Sequence, residues 1–306
     1  MAMSSEAAKT DTETGFAAGC AWIEGEYVPI AEARIPILDA GFVRSDLTYD
    51  VVGVWEGSFF RLDDHLDRLE RSVREIGMAM PMGRAALKAV IREMARRNRV
   101  HDGLIYMQVT RGALRRDHAI PDMQPRPTLI ITARSMDPAQ LAARKEKGVE
   151  VITRPDQRWA RCDIKSVALL PNILAKTDAR KAGVFEAWLI DDDGFVTEGS
   201  STSAWIVDKD GNIVTRSLSN AILPGITRKV IMDAAREAQI AIVERKFTPA
   251  EALEAREAFL SAASLGATAI VAIDGHKIGD GKPGPLTRRL QELYRAHAER
   301  LAAKAQ

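Results

Sequence analysis

The chain has 306 residues, 46% of them hydrophobic, which is enough to bury a sizeable core and to divide into two domains of about 100–200 residues. Its 43 lysines and arginines nearly cancel 42 acids, and no run of 18 apolar residues occurs, so neither nucleic acid nor a membrane is an expected partner. Two cysteines, Cys20 and Cys162, exclude a disulfide framework and a cysteine metal cluster and fit a reducing cytoplasm.

Residues 1–16 are polar and acidic, with no basic start or apolar stretch, and are expected to be a disordered tail and not a signal peptide. Residues 20–30 read as a small hairpin turning at Glu24-Gly25. A second hairpin runs from Tyr49 to Trp55, turns at Glu56-Gly57-Ser58 and returns through Phe59 to Leu62. Asp63 or Asp64 then caps a predicted helix whose apolar residues, Leu66, Leu69, Val73 and Ile76, recur three and four apart. Leu87, Val90, Ile91 and Met94 mark the next helix, and Leu104–Thr110 and Thr128–Ala133 are predicted strands. Ser135-Met136-Asp137-Pro138 breaks the pattern and is the candidate linker.

Beyond it, Val149–Thr153 reads as a strand and Ile173–Lys181 as a helix that stops at Gly183. Short strands with tight turns follow: Phe185–Ile190, Ala204–Val207 and Ile213–Thr215. Pro224-Gly225 leads into a helix from Ile226 to Ala238, Phe259–Ser261 and Ala269–Ile273 are strands, and 286–304 form a closing amphipathic helix. Runs of strands flanked by helices predict an α+β fold with mixed sheets, not a doubly wound one. The expected division is an N-terminal domain at 17–134, a linker at 135–139 and a C-terminal domain at 140–306.

Three short segments carry residues suited to chemistry. Lys165, in Asp163-Ile164-Lys165-Ser166, lies among apolar residues. It is either a half-buried amine suited to a Schiff base or a lysine at a strand end facing water. Glu198, in Thr197-Glu198-Gly199-Ser200-Ser201, either holds a protonated ring nitrogen or belongs to a turn. Gly225-Ile226-Thr227-Arg228 opens a helix, and backbone amides there suit a phosphate, although most helix starts bind nothing.

The order and spacing of these motifs resemble the fold type IV aminotransferases, which use pyridoxal 5'-phosphate. The nearest group is the D-amino acid transaminases, and the resemblance runs from about Trp22 to the end. Its most specific part is Arg158-Trp159-Ala160-Arg161-Cys162-Asp163-Ile164-Lys165-Ser166, followed by Leu169-Leu170-Pro171-Asn172. The resemblance implies a small N-terminal α/β sandwich and a larger mixed-sheet domain with the cofactor between them, in a homodimer whose partner loops help close the site. It makes Lys165 the Schiff-base lysine and Glu198 the partner of the pyridine nitrogen. Arg68, Leu223, Ile226, Thr227 and Ser264 become cofactor contacts, with Ser264 or Ser261 standing in where Ala263 replaces a threonine common in the family.

The resemblance also makes Tyr49, Arg116 and His118 a trap for the substrate carboxylate, with Arg115 as an alternative ligand and Arg44 beside them. The expected reaction moves an amino group from a D-alanine-like donor to a 2-oxo acid such as pyruvate or 2-oxoglutarate. The stretch Arg44–Val51 with Phe59–His65 also looks like the (R)-selective amine transaminases. Leu170 stands where branched-chain aminotransferases carry a tyrosine, which disfavours that group. A lyase resembling aminodeoxychorismate lyase is a further alternative.

Overall fold

The structure is a computed structural model that describes residues 19–305; the expected tail at 1–16 lies outside them. Two sheets organise the chain. The first has six strands in the order Glu26–Pro29, Cys20–Ile23, Thr128–Ser135, Gly103–Thr110, Leu47–Trp55 and Ser58–Phe59, all antiparallel. Side chains alternate across a strand, so this sheet has two different faces. Val52, Val54, Ile105, Met107, Leu129 and Ile131 point to one face, where they bury the apolar stripes of helices Leu62–Glu75 and Arg84–Arg97. Tyr49, Val51, Leu104, Tyr106 and Thr132 take the opposite parity and line a cavity.

The second sheet has nine strands and mixes parallel with antiparallel pairs, as predicted. Val149–Pro155 is parallel to both Gly266–Ile273 and Glu186–Ile190, whereas Ser203–Val207, Glu257–Ala262 and Gly266–Ile273 pair antiparallel. Trp205, Val207 and Phe259 pack under helices Ile226–Glu237 and Pro285–Ala305, and Ala204, Ile206 and Leu260 pack on the other side.

The structure corrects several local expectations. Helix Leu62–Glu75 starts at Arg61, whose φ is 55°, with no side-chain cap; Asp63 and Asp64 lie inside its first turn. The return strand is only Ser58–Phe59; Phe60 N still donates to Gly53 O at 2.9 Å, and its ring packs against Tyr294. The segment 135–139 contains the end of strand Thr128–Ser135 and the start of helix Pro138–Lys147, where Asp137 accepts from Ala139 N at 2.9 Å. That helix has a single buried residue, Leu141, which explains why no apolar periodicity announced it. The helix expected from Ile173 begins at Leu170, with Pro171 in its first turn, where a missing N–H costs nothing.

Candidate active site

Lys165 lies outside any strand or helix, in a segment hooked to the first sheet. Tyr49 N donates to Lys165 O at 2.9 Å, Lys165 N donates to Ser72 Oγ at 3.3 Å, and Thr48 bridges Ser166. Its Nζ sits 4.4 Å from the centre of the Tyr49 ring, which stacks on Tyr106 with centroids 5.4 Å apart. Lys165 is half-buried on the wall of a cavity of about 1030 Å³ between the two sheets, so the expectation of a lysine facing open water fails.

Glu198 lies on the same cavity, in strand Val196–Gly199 and not in a turn, because Trp188 and Ile190 pair with Gly199 and Val196. Gly199 is required there, since a Cβ on it would collide with Thr202 Oγ1. The Glu198 carboxylate accepts from Arg158 Nη1 and, at 3.3 Å, from Leu223 N. Burial pushes the Glu198 carboxyl up, and the Arg158 guanidinium beside it pulls the other way. Arg158 is divided between two acids, with Asp156 accepting from its Nε at 2.9 Å and its Nη2 at 2.7 Å.

At the far end, helix Ile226–Glu237 begins at Gly225 with no side-chain cap for its first amides, and Gly225, Ile226 and Thr227 line the cavity there. Arg68 reaches across from the first half and donates from Nη1 to Pro224 O at 3.1 Å. Ser261 and Ser264 both line the cavity, and the Ser261 hydroxyl also accepts from Trp205 Nε1 at 2.9 Å. Burial pushes the Cys162 thiol, also on the cavity, up to about 11, so it is a poor rival to Lys165 as a nucleophile.

The structure therefore brings Lys165, Tyr49, Glu198, Arg68, Leu223, Ile226, Thr227 and Ser264 to one cavity. It does not bring the rest of the expected carboxylate trap there. Arg116 is exposed, and Arg44 and His118 line a separate hollow of about 560 Å³ with Asp46 and Arg111. Arg44 is engaged by Asp46 Oδ2 at 3.0 Å and by the Asp117 carbonyl. Sequence reasoning gave no role to Arg158, Asp50 or His65. The i, i+3 spacing of His65 and Arg68 was the available signal.

The family model described as amino-transferase class IV matches residues 47–273. The chain belongs to the class IV aminotransferases. It is 38% identical to the D-alanine aminotransferase of Staphylococcus haemolyticus over 91% of this chain and 97% of that one. Against the enzyme of the same name from Listeria monocytogenes, identity is 37%, with 92% and 99% covered. Among solved structures, the branched-chain aminotransferase of Thermoproteus uzoniensis with norvaline superposes with a TM-score of 0.80 at 27% identity, covering 91% of this chain and 94% of that one. The branched-chain enzyme from Thermobaculum terrenum in its PLP form gives 0.79 at 26%, with 91% and 93% covered.

Class IV aminotransferases use pyridoxal phosphate. The cavity fits such a group: an amine for an aldehyde, a buried carboxylate for a ring nitrogen, and an uncapped helix start with an arginine for a phosphate.

Proposed function

We propose that this class IV aminotransferase moves the amino group of a D-alanine-like amino acid to a 2-oxo acid such as pyruvate or 2-oxoglutarate, with Lys165 as its cofactor-bearing residue. The observation that carries this reading is the placement of Lys165 Nζ over Tyr49 on the cavity shared by Glu198 and the start of helix Ile226–Glu237. The D-alanine aminotransferases at 36–38% identity support the D-specific substrate over the branched-chain one.

When bound, pyridoxal phosphate supplies an electron sink for the carbanion left by loss of the donor's Cα proton. Lys165 would take that proton from Cα and deliver it to the cofactor's former aldehyde carbon, so that the amino nitrogen stays with the cofactor. Glu198 holds the ring nitrogen, and Arg158 keeps a balancing cation behind it. Arg68, Leu223, Ile226, Thr227 and Ser264 anchor the rest of the cofactor.

Tyr49, with Arg116 and His118 of the partner subunit, grips the substrate carboxylate in a homodimer, and Arg44 holds the loop that carries them. Exposed Ile37, Phe42 and Met123 near these residues in sequence support a covered surface there. No described helix is long and apolar enough to cross a membrane; with two free cysteines, a cytoplasmic location fits. The exposure of Arg116 also supports a second reading, in which (R)-amines lacking a carboxylate are accepted.

Borohydride reduction of the purified holoenzyme followed by peptide mass analysis should place the cofactor on Lys165; a label on Lys176 would sink the assignment. A donor panel with 2-oxoglutarate should favour D-alanine. Faster turnover of L-leucine would refute the D-specific reading, and faster turnover of (R)-1-phenylethylamine would favour the amine one.

A further inference from the structure

Asp50 accepts four hydrogen bonds beside the cavity. It is fully buried on strand Leu47–Trp55, two residues before Val52, and so shares the face that meets helix Leu62–Glu75. His65 and Arg68, one helical turn apart, both reach it. Its Oδ2 accepts from Arg68 Nε at 2.8 Å, and its Oδ1 from Arg68 Nη2 at 2.9 Å, His65 Nδ1 at 2.7 Å and Val51 N at 2.8 Å.

Two parallel bonds to a planar guanidinium fix its plane as well as its position. One edge of Arg68 is thereby committed to the first sheet, which leaves Nη1 to reach Pro224 O beside the uncapped helix start in the second half. Burial pushes the His65 ring below its usual pKa, so its Nδ1–H donates to Asp50 without adding a second buried positive charge.

We infer that Asp50 is a positioning residue for anion binding: it aims Arg68 across the gap between the sheets at a phosphate on the start of helix Ile226–Glu237, with His65 as its brace. This rests on the reading that Arg68 and the helix start hold the cofactor phosphate. The geometry gives Asp50 no other target, since all four hydrogen bonds it accepts come from the first half of the chain.

The test compares binding of pyridoxal phosphate with binding of pyridoxal, which lacks the phosphate, to apo-protein by tryptophan fluorescence. Asp50→Asn should weaken pyridoxal phosphate roughly ten- to a hundredfold and leave pyridoxal within about threefold. In an Arg68→Met background the same substitution should add nothing to that preference, because Asp50 acts through Arg68. Equal loss for both ligands, or an Asp50→Asn effect that persists without Arg68, would overturn the inference. Unchanged phosphate preference in Arg68→Met alone would instead sink the phosphate reading beneath it. If circular dichroism shows Asp50→Asn unfolded, Asp50→Glu, which keeps the charge but displaces the guanidinium by a methylene, carries the same comparison and the same outcomes.

Discussion

Asp50 and Glu198 are both buried carboxylates beside an arginine, yet their surroundings shift them in opposite directions. At Asp50 burial raises the pKa, but Arg68 and His65 outweigh it and hold the carboxyl well below the usual range. At Glu198 burial prevails, because its one guanidinium is shared with Asp156. Glu198→Gln should keep the fold and lose about 1.5–3 kcal/mol of a charged interaction, on the order of ten- to a hundredfold in kcat. Steady-state rates on reconstituted protein check this, and an unchanged kcat would remove Glu198 from the mechanism. Asp50 also sets an acid limit. Its folded pKa lies below its unfolded one, so the stability it contributes is present above about pH 4 and is lost as pH falls below that. Urea midpoints should therefore drop between about pH 5 and pH 2, and Asp50→Asn should flatten that slope. An identical slope in the variant would show that other carboxylates dominate.

Elements were legible in the sequence where their stabilising contacts are local and periodic. Helices Leu62–Glu75, Arg84–Arg97 and Ile226–Glu237 each bury a stripe that the three-and-four spacing announces. Their termini were less legible, because caps come from elsewhere in the chain. Helix Pro285–Ala305 was predicted from its amphipathic pattern, yet its start is held by Glu257, a strand residue, which accepts from Leu286 N at 2.8 Å and Thr287 N at 2.7 Å. Gly284 makes room for this, since a Cβ there would collide with the Glu257 carboxyl group. Glu257→Ala should cost about 1–2 kcal/mol by loss of the cap and its charge at the helix start. Chemical denaturation measures that loss, and a change below about 0.3 kcal/mol would mean that water replaces the cap.

At the scale of the molecule, the residues of the proposed substrate trap are divided. Tyr49 is in the cavity, whereas Arg116 is exposed and His118 lines another hollow. If a partner subunit supplies the missing pair, two crippled variants should complement each other. Lys165→Ala lacks the amine and Arg116→Ala lacks the carboxylate grip. Random pairing makes about half the dimers mixed, each with one intact site, so activity at low D-alanine should recover to about a quarter of the unmutated level. Recovery no greater than the sum of the two variants would place Arg116 in its own subunit's site.

The sequence by itself carried the resemblance to the class IV aminotransferases. The strings around Lys165, Glu198 and Ile226-Thr227 stand in the family's order, although each alone also reads as an ordinary strand end, turn or helix start. The sequence also determined the mixed sheet and the two-faced strand Leu47–Trp55, since alternation is a local property. Only the tertiary structure decided which groups pair. Arg158 meets Glu198 across 40 positions, and Arg68 meets Pro224 across 156. Such pairings depend on how two sheets close over one cavity, and no local periodicity encodes that closure. The tertiary structure also separated Arg116 and His118 from Tyr49, although their spacing matched a single trap. Spacing fixes residues along a loop, but the direction in which the loop faces depends on Arg44 and Arg111 gripping Asp46.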